Sequence, residues 1–173
     1  MELWDLYDNN RTLLGKTIQR GEPLPEGCYS VAVSIWTVNT KGQILLTLRA
    51  PEKESWANYW ENTGGAVRSG ETSLQAILRE LQEETGIILQ SDQVQFLQTE
   101  RWQHGFMDVY ACCCDVPLHK ITLQPGETAA AKWVTWQELE KMCANKEIAQ
   151  PIIDRFYHVK DNLQQFAEQH KKK

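Results

Sequence analysis

The stretch from Gly65 to Ile87 limits the possible folds more than any other part of the chain. Thr72, with Gln75 three residues later, has the spacing of a capping box, in which each side chain satisfies the other residue's backbone N–H at a helix start. Leu74, Ile77, Leu78 and Leu81 follow at helical spacing, and Gly86 stands where helices commonly end on a left-handed residue. The pattern predicts a helix between these two signals. Glu80, Glu83 and Glu84 fall at i, i+3 and i+4 of it, so at about 100° per residue they share one face. The aliphatic stripe lies about a third of a turn away by the same arithmetic. Such a helix can bury its leucines against a sheet and still direct three carboxylates at one point.

The sheet has to come from the flanking segments. Residues 3–7 and 12–19 read as two short strands around the polar turn Asp8-Asn9-Asn10-Arg11, an N-terminal β-hairpin. Gly21 to Gly27 is a loop. Tyr29 to Val38 alternates and is β-branched, and Asn39-Thr40-Lys41-Gly42 turns it into a second strand over Gln43 to Arg49. Residues 50–62 read as an aromatic-rich loop, and 93–101, 106–116 and 129–134 as further strands. Thr135 with Glu138 is a second capping box, opening a helix over 136–144. Pro151 opens a third, with Ile152, Phe156, Val159, Leu163 and Phe166 in one apolar stripe. Strands and helices mix without strict alternation, so the expected class is α/β in the broad sense (α+β), a mixed β-sheet carrying helices. A length of 173 residues holds one ordinary domain. The expected organisation is a hairpin and loop over 1–27 packed on a domain at 28–168, with a basic tail at 169–173.

Charge narrows the chemistry. Lys plus Arg is 18 against 23 for Asp plus Glu, a net charge of −5, which disfavours a grip on duplex nucleic acid through its phosphates. No apolar run approaches the roughly 18 residues of a membrane span. The acidic start Met1-Glu2-Leu3-Trp4-Asp5 lacks the layout of a signal peptide. The 5 cysteines, consecutive at Cys112, Cys113 and Cys114 and single at Cys28 and Cys143, include no C-x-x-C pair. They fit thiols in a reducing, cytoplasmic setting better than a disulfide framework or a zinc site. A phosphate ligand would have to be met by something other than bulk charge, and a metal ion is the natural means.

Like charges at i, i+3 and i+4 repel by tenths of a kcal/mol per exposed pair, and by more when desolvated. A hard divalent cation reverses that sign, because Mg²⁺ takes oxygen ligands in an octahedral shell and keeps waters available for chemistry. Alone, E-x-x-E-E on a helix usually marks a solvated acidic face. The neighbours change the reading. Arg79 can hold a carboxylate, Gly64 and Gly65 allow close backbone approach, and Glu71 at the helix entrance can meet backbone N–H groups. Gly65, Glu71, Arg79, Glu80, Leu81, Glu83, Glu84, Gly86 and Ile87 match G-x5-E-x7-R-E-U-x-E-E-x-G-U, where U is a bulky aliphatic, without deviation. The segment resembles the signature of the Nudix hydrolases.

That resemblance implies an α/β/α sandwich. It implies hydrolysis of the diphosphate linkage in a nucleoside diphosphate joined to another group, with Mg²⁺, or Mn²⁺ in its place, as cofactor. Glu83 and Glu84 are the implied principal metal ligands, with Glu80 and the Gly65 carbonyl completing the set. Arg79 is implied to orient the glutamates, so Glu80, Glu83, Glu84 and Arg79 form the catalytic group, while Glu71 and Gly86 are structural. The general base is left open among Glu83, Glu84, Glu127 and His104.

A narrower resemblance, over about residues 3–90, is to the branch related to isopentenyl-diphosphate isomerase. It is carried by Trp4-Asp5-Leu6-Tyr7-Asp8, Gly15-Lys16, Gly42 to Ala50, and Trp56, Tyr59, Trp60 and Asn62. That isomerase has a Cys just after the Trp-Asn stretch and His-rich metal ligation. Here the stretch reads Trp60-Glu61-Asn62-Thr63-Gly64-Gly65, and residues 1–103 hold no His. The intact glutamates favour hydrolysis over isomerisation. They also favour it over a non-catalytic nucleotide-binding module, whose usual mark is their loss.

Trp36, Trp56, Tyr59, Trp60 and Trp102 are candidate faces for base stacking, with Trp56 and Trp60 favoured by their place before Gly64-Gly65. Trp133 and Trp136 read as core. Arg49 and Arg68 are candidate phosphate contacts. The expected partner is a small-molecule diphosphate, a nucleotide, with neither duplex nucleic acid nor membrane. The chain is expected to be a monomer or homodimer. Residues 151–168 are available to an interface, although such a stripe more often packs on its own sheet.

Overall fold

The computed structural model describes residues 2–172; Met1 of the expected hairpin segment and Lys173 of the expected tail lie outside the described residues. Strands β1 (Leu3–Tyr7) and β2 (Leu13–Gln19) pair antiparallel as a two-stranded sheet, Leu3 opposite Gln19. The next strands are β3 (Ser30–Val38), β4 (Ile44–Arg49), β5 (Trp60–Glu61), β6 (Thr63–Ala66), β7 (Val94–Trp102), β8 (Gly105–Cys113) and β9 (Thr128–Val134). They form one mixed sheet in the order β5-β4-β3-β8-β7, with β6 on β3 and β9 on β4. β3 and β8 run parallel, from Ser30 opposite Gly105 to Val38 opposite Cys113, and the other strand pairs are antiparallel.

The helices are α1 (Ser73–Thr85), α2 (Trp136–Ala144) and α3 (Gln150–His170). Both expected capping boxes are present, Thr72 with Gln75 and Thr135 with Glu138. Gly86 closes α1 at φ 72°, where a Cβ would also lie 3.0 Å from Thr122 Cβ. Two apolar clusters lie on opposite faces of the sheet. Val33, Ile35, Ile77 and Leu81 join it to α1; Trp36, Leu46, Phe156 and Leu163 join it to α2 and α3. The result is the expected α/β/α sandwich. The α3 stripe is buried on the protein's own sheet, with Phe156 5.6 Å from Trp36 between ring centroids. Among the described residues no helix is long and apolar enough to cross a membrane.

Four expectations change. Residues 50–62 are not all loop, because Trp60 pairs with Leu48 and Glu61 with Thr47, and the chain continues at once into β6. The strand expected to reach residue 116 stops at Cys113, where its partner β3 ends and the Cys114 N–H closes on the Val38 carbonyl at 2.9 Å. The segment 169–173, expected as a separate basic tail, begins within α3, which runs to His170, and the Lys172 N–H donates to the Thr40 carbonyl at 3.1 Å. Trp36 is fully buried and offers no face to a ligand.

The hairpin is fastened to the sandwich at several places, among them the reciprocal backbone bonds of Tyr7 and Tyr29 at 2.9 Å. Ser69 Oγ and the Gly70 N–H donate to Asp5 at 2.7 and 2.8 Å, and the Ser69 N–H donates to the Leu3 carbonyl at 2.8 Å. Farther along, Arg11 grips the buried Asp108 of β8 with both Nη atoms, one of them at 2.7 Å.

Candidate active site

The acidic face of α1 meets the backbone of β6. Gly64 lies so close to β3 that a Cβ would fall 2.6 Å from the Val33 carbonyl oxygen. At Gly65 a Cβ would fall 2.2 Å from Glu80 Cδ, so only a glycine lets this backbone lie against that carboxylate. Arg79 organises the cluster. Its Nε and Nη2 grip Glu71 at 2.8 and 2.9 Å, Nη2 also reaches the Ala66 carbonyl at 3.1 Å, and Nη1 donates to Glu80 at 2.6 Å and Glu83 at 3.3 Å. Glu71 in turn accepts the Arg68 N–H at 3.1 Å, which ties the loop to the helix. Burial alone would raise the Glu71 carboxyl, but the Arg79 and Arg68 bonds outweigh it and hold it below the usual range. Burial and the neighbouring Glu83 charge push Glu80 up against the pull of Arg79.

Glu84 is the deepest of the three. It is 8% exposed, and its Oε2 has no hydrogen-bond partner. Burial first, then the charges of Glu61, Glu80 and Glu127, push its carboxyl well above the usual range. Together these groups border a cleft of about 270 Å³ that also takes in Gly64, Gly65, Arg49, Lys53, Arg68, Gln124 and Glu127, with Glu2 and Arg20 from the hairpin.

Of the residues picked from sequence, the structure brings Glu80, Glu83, Glu84, Gly65, Arg49, Arg68 and Glu127 to this cleft. Arg79 and Glu71 stand behind it. Trp56 and Trp60 do not line it: Trp56 is exposed edge-on to Tyr59, and Trp60 packs toward α3 beneath Lys132 Nζ, 4.0 Å from its ring centroid. Trp102 and His104 lie at the far β7–β8 turn. Sequence reasoning missed Glu61, Lys53, Glu2 and Arg20. Glu61, held by Arg49 Nη1 at 2.9 and 3.0 Å and raised by its burial, carries no signal of its own until β5 is paired with β4.

Several features suit a divalent cation. A carboxylate oxygen is buried without a partner, a side-chain-free backbone lies against Glu80, and like charges crowd at Glu84. Hard oxygen donors of this kind fit Mg²⁺ or Mn²⁺. Among the described residues no three acidic, His or Cys side chains are already gathered around one point. Arg79 holds Glu80 and Glu83, so a cation would have to draw their carboxylates toward Glu84 by rotation of the side chains.

The NUDIX domain model matches residues 29–156, most of the sandwich. The chain belongs to the Nudix family. An uncharacterized Nudix hydrolase of Listeria monocytogenes is 38% identical over 163 residues, covering 93% of this chain and 96% of that protein. The crystal structure of DR0079 from Deinococcus radiodurans superposes with a TM-score of 0.74 at 25% identity, covering 90% of this chain and 99% of that one. An isopentenyl-diphosphate Δ-isomerase of Paenarthrobacter aurescens is 34% identical over 87 residues, 50% of this chain and 47% of the isomerase. The likeness to the isomerases is thus real but partial, whereas the likeness to a named hydrolase runs the length of both chains. This Nudix protein is a hydrolase.

Proposed function

We propose that this Nudix hydrolase cleaves the phosphoanhydride bridge of a nucleoside diphosphate derivative in a Mg²⁺-dependent reaction. The observation that supports this most is Glu84, buried with a free Oε2 among other carboxylates on a cleft that also carries arginines and a lysine. A divalent ion held by Glu80, Glu83, Glu84 and the Gly65 carbonyl would neutralise the diphosphate and acidify a water. Arg79 keeps Glu80 and Glu83 in place from behind, and Glu71 keeps Arg79 in place. Arg68, half-exposed beside Glu83, can meet phosphate oxygens. Water attacks one phosphorus in line with the bridging oxygen; a new P–O bond forms, the bridging P–O bond breaks, and the other phosphate leaves with that oxygen. The water's proton passes to a cleft carboxylate, and Glu83, Glu84 and Glu127, which border the cleft, are the candidates for that role. His104, away from the cleft, is not used.

The test is a panel of diphosphates with Mg²⁺ or Mn²⁺, with products released as phosphate by a phosphatase and read colorimetrically. The expected result is metal-dependent turnover of at least one nucleotide, lost about a thousandfold or more in Glu83→Gln with the circular dichroism spectrum unchanged. Near-normal turnover in that variant, or formation of the allylic isomer from isopentenyl diphosphate, would overturn the reading.

A further inference from the structure

Among the described residues the cleft has two firmly held cations and two loosely held ones. Arg49 gives Nη1 to both Glu61 oxygens and Nε to the Ser55 carbonyl at 3.0 Å, and Lys53 is in close contact with Glu127. Arg68 reaches Glu2 and Glu83 only at 3.5 Å, and Arg20 reaches Glu2 only at 3.4 Å. Charge-assisted bonds at full strength are about 2.7–2.9 Å. The side chains of Arg20 and Arg68 are 59% and 42% exposed. Between them, Glu2 has Oε1 bound by Trp4 Nε1 at 2.9 Å, so its Oε2 alone faces both guanidinium groups. Both guanidinium groups are thus paired only at long range on the hairpin side of the cleft.

The fold fixes this pair in place. The Arg20 N–H donates to the Glu2 carbonyl at 2.9 Å just past the end of β2, and Asp5 holds the loop that follows Arg68 through Ser69 and Gly70. Arg68 touches Glu83 and therefore borders the place of the scissile diphosphate, while Arg20 lies one carboxylate farther out. We propose that Arg20 and Arg68 form a wall that receives a further phosphate group of the substrate, beyond the diphosphate that is cut. This rests on the hydrolase reading above and narrows its substrate to molecules carrying that extra group, either the next phosphate of a chain or a phosphate monoester on the attached group. Phosphate oxygens can engage each planar guanidinium in two-point contacts, which one shared carboxylate oxygen cannot give to both.

Binding is read by calorimetry on the full chain with inorganic tripolyphosphate and pyrophosphate, using Ca²⁺ in place of Mg²⁺ to hold down turnover. The protein is expected to prefer tripolyphosphate by about tenfold or more, the worth of one well-made charged contact. Arg20→Gln should abolish the preference and Arg20→Lys should keep part of it. A second arm compares kcat/KM for ATP against ADP-ribose and for NADPH against NADH. In Arg20→Gln a fall in the first ratio assigns the chain phosphate, and a fall in the second assigns the monoester. No preference in the unaltered protein, an unchanged preference in Arg20→Gln, or neither ratio moving overturns the inference. Because the titration needs no turnover, it reads the wall even if the panel finds no hydrolysis.

Discussion

Glu84→Gln separates what the site contributes to chemistry from what it costs the fold. Glu84 is buried with one oxygen unpartnered, and its carboxyl is pushed well above the usual range by burial and by Glu61, Glu80 and Glu127. A raised folded pKa on an acid means that its stability is complete below the unfolded value near 4 and is lost as pH rises through the folded value. At about pH 8 the metal-free protein therefore carries an uncompensated group whose cost is about 1–3 kcal/mol. The amide keeps the shape and does not titrate, so Glu84→Gln should escape about that cost. For a chain of this size it corresponds to a rise of about 2–12 °C in melting temperature in EDTA. Mg²⁺ at a hundredfold excess over its Kd adds about 2.7 kcal/mol to the unaltered protein, or roughly 5–11 °C, and nearly nothing to the variant. The advantage of the variant in EDTA thus shrinks or reverses in Mg²⁺, a result that thermal melts at about pH 6 and pH 8 can read directly. A variant that melts below the unaltered protein in EDTA, or that gains the same Mg²⁺ shift, would refute the assignment of this carboxylate as a metal ligand.

The two adjacent glycines should fail differently. A Cβ at Gly64 meets the Val33 backbone, so Gly64→Ala should cost about 1–3 kcal/mol in chemical denaturation. A Cβ at Gly65 meets only the movable end of Glu80, so Gly65→Ala should melt near the unaltered protein but lose about 10–100-fold in kcat/KM. Arg79→Lys replaces a fork spanning Glu71 and Glu80 with a point charge; about 10–100-fold loss of kcat with little change in KM is expected, and an unchanged kcat would remove Arg79 from its positioning role. At Asp108 burial raises the carboxyl, but the bonds from Arg11 and Thr99 outweigh it and hold it below the usual range. That contribution is present above the unfolded value and is lost as pH falls through the folded one. Asp108→Asn should therefore cost about 1–3 kcal/mol at neutral pH, a deficit that shrinks in urea titrations as pH drops from about 5 toward 3.

The parts of this protein that were legible in sequence are those whose physics is local. Helix α1 carries its own start, stripe and stop, and the caps form at the residues expected. β5 and β6 carry no such pattern; they are strands because β4 and β3 offer them partners, with Glu61 opposite Thr47 and Thr63 opposite Ile35. The parallel β3–β8 pairing and the docking of the hairpin, which brings Glu2 and Arg20 to the cleft, likewise depend on contacts distant in sequence.

The tryptophans show why closeness along the chain misleads. Successive side chains of a strand point to opposite faces. The alternation that turns Trp60 toward the α3 core turns the next residue, Glu61, toward Glu84, where its charge raises that carboxyl. Nearness to Gly64-Gly65 thus favoured the aromatic residue, while the sheet delivered the acid. A buried acid set beside other acids breaks the local rule that like charges are kept apart. Folded chains break such rules mainly at sites where a ligand repairs them. Glu61, invisible in the motif, therefore belongs to the same electrostatic unit as the helix glutamates, and because Arg49 spends its Nη1 on both Glu61 oxygens it does not offset the charge crowded at Glu84.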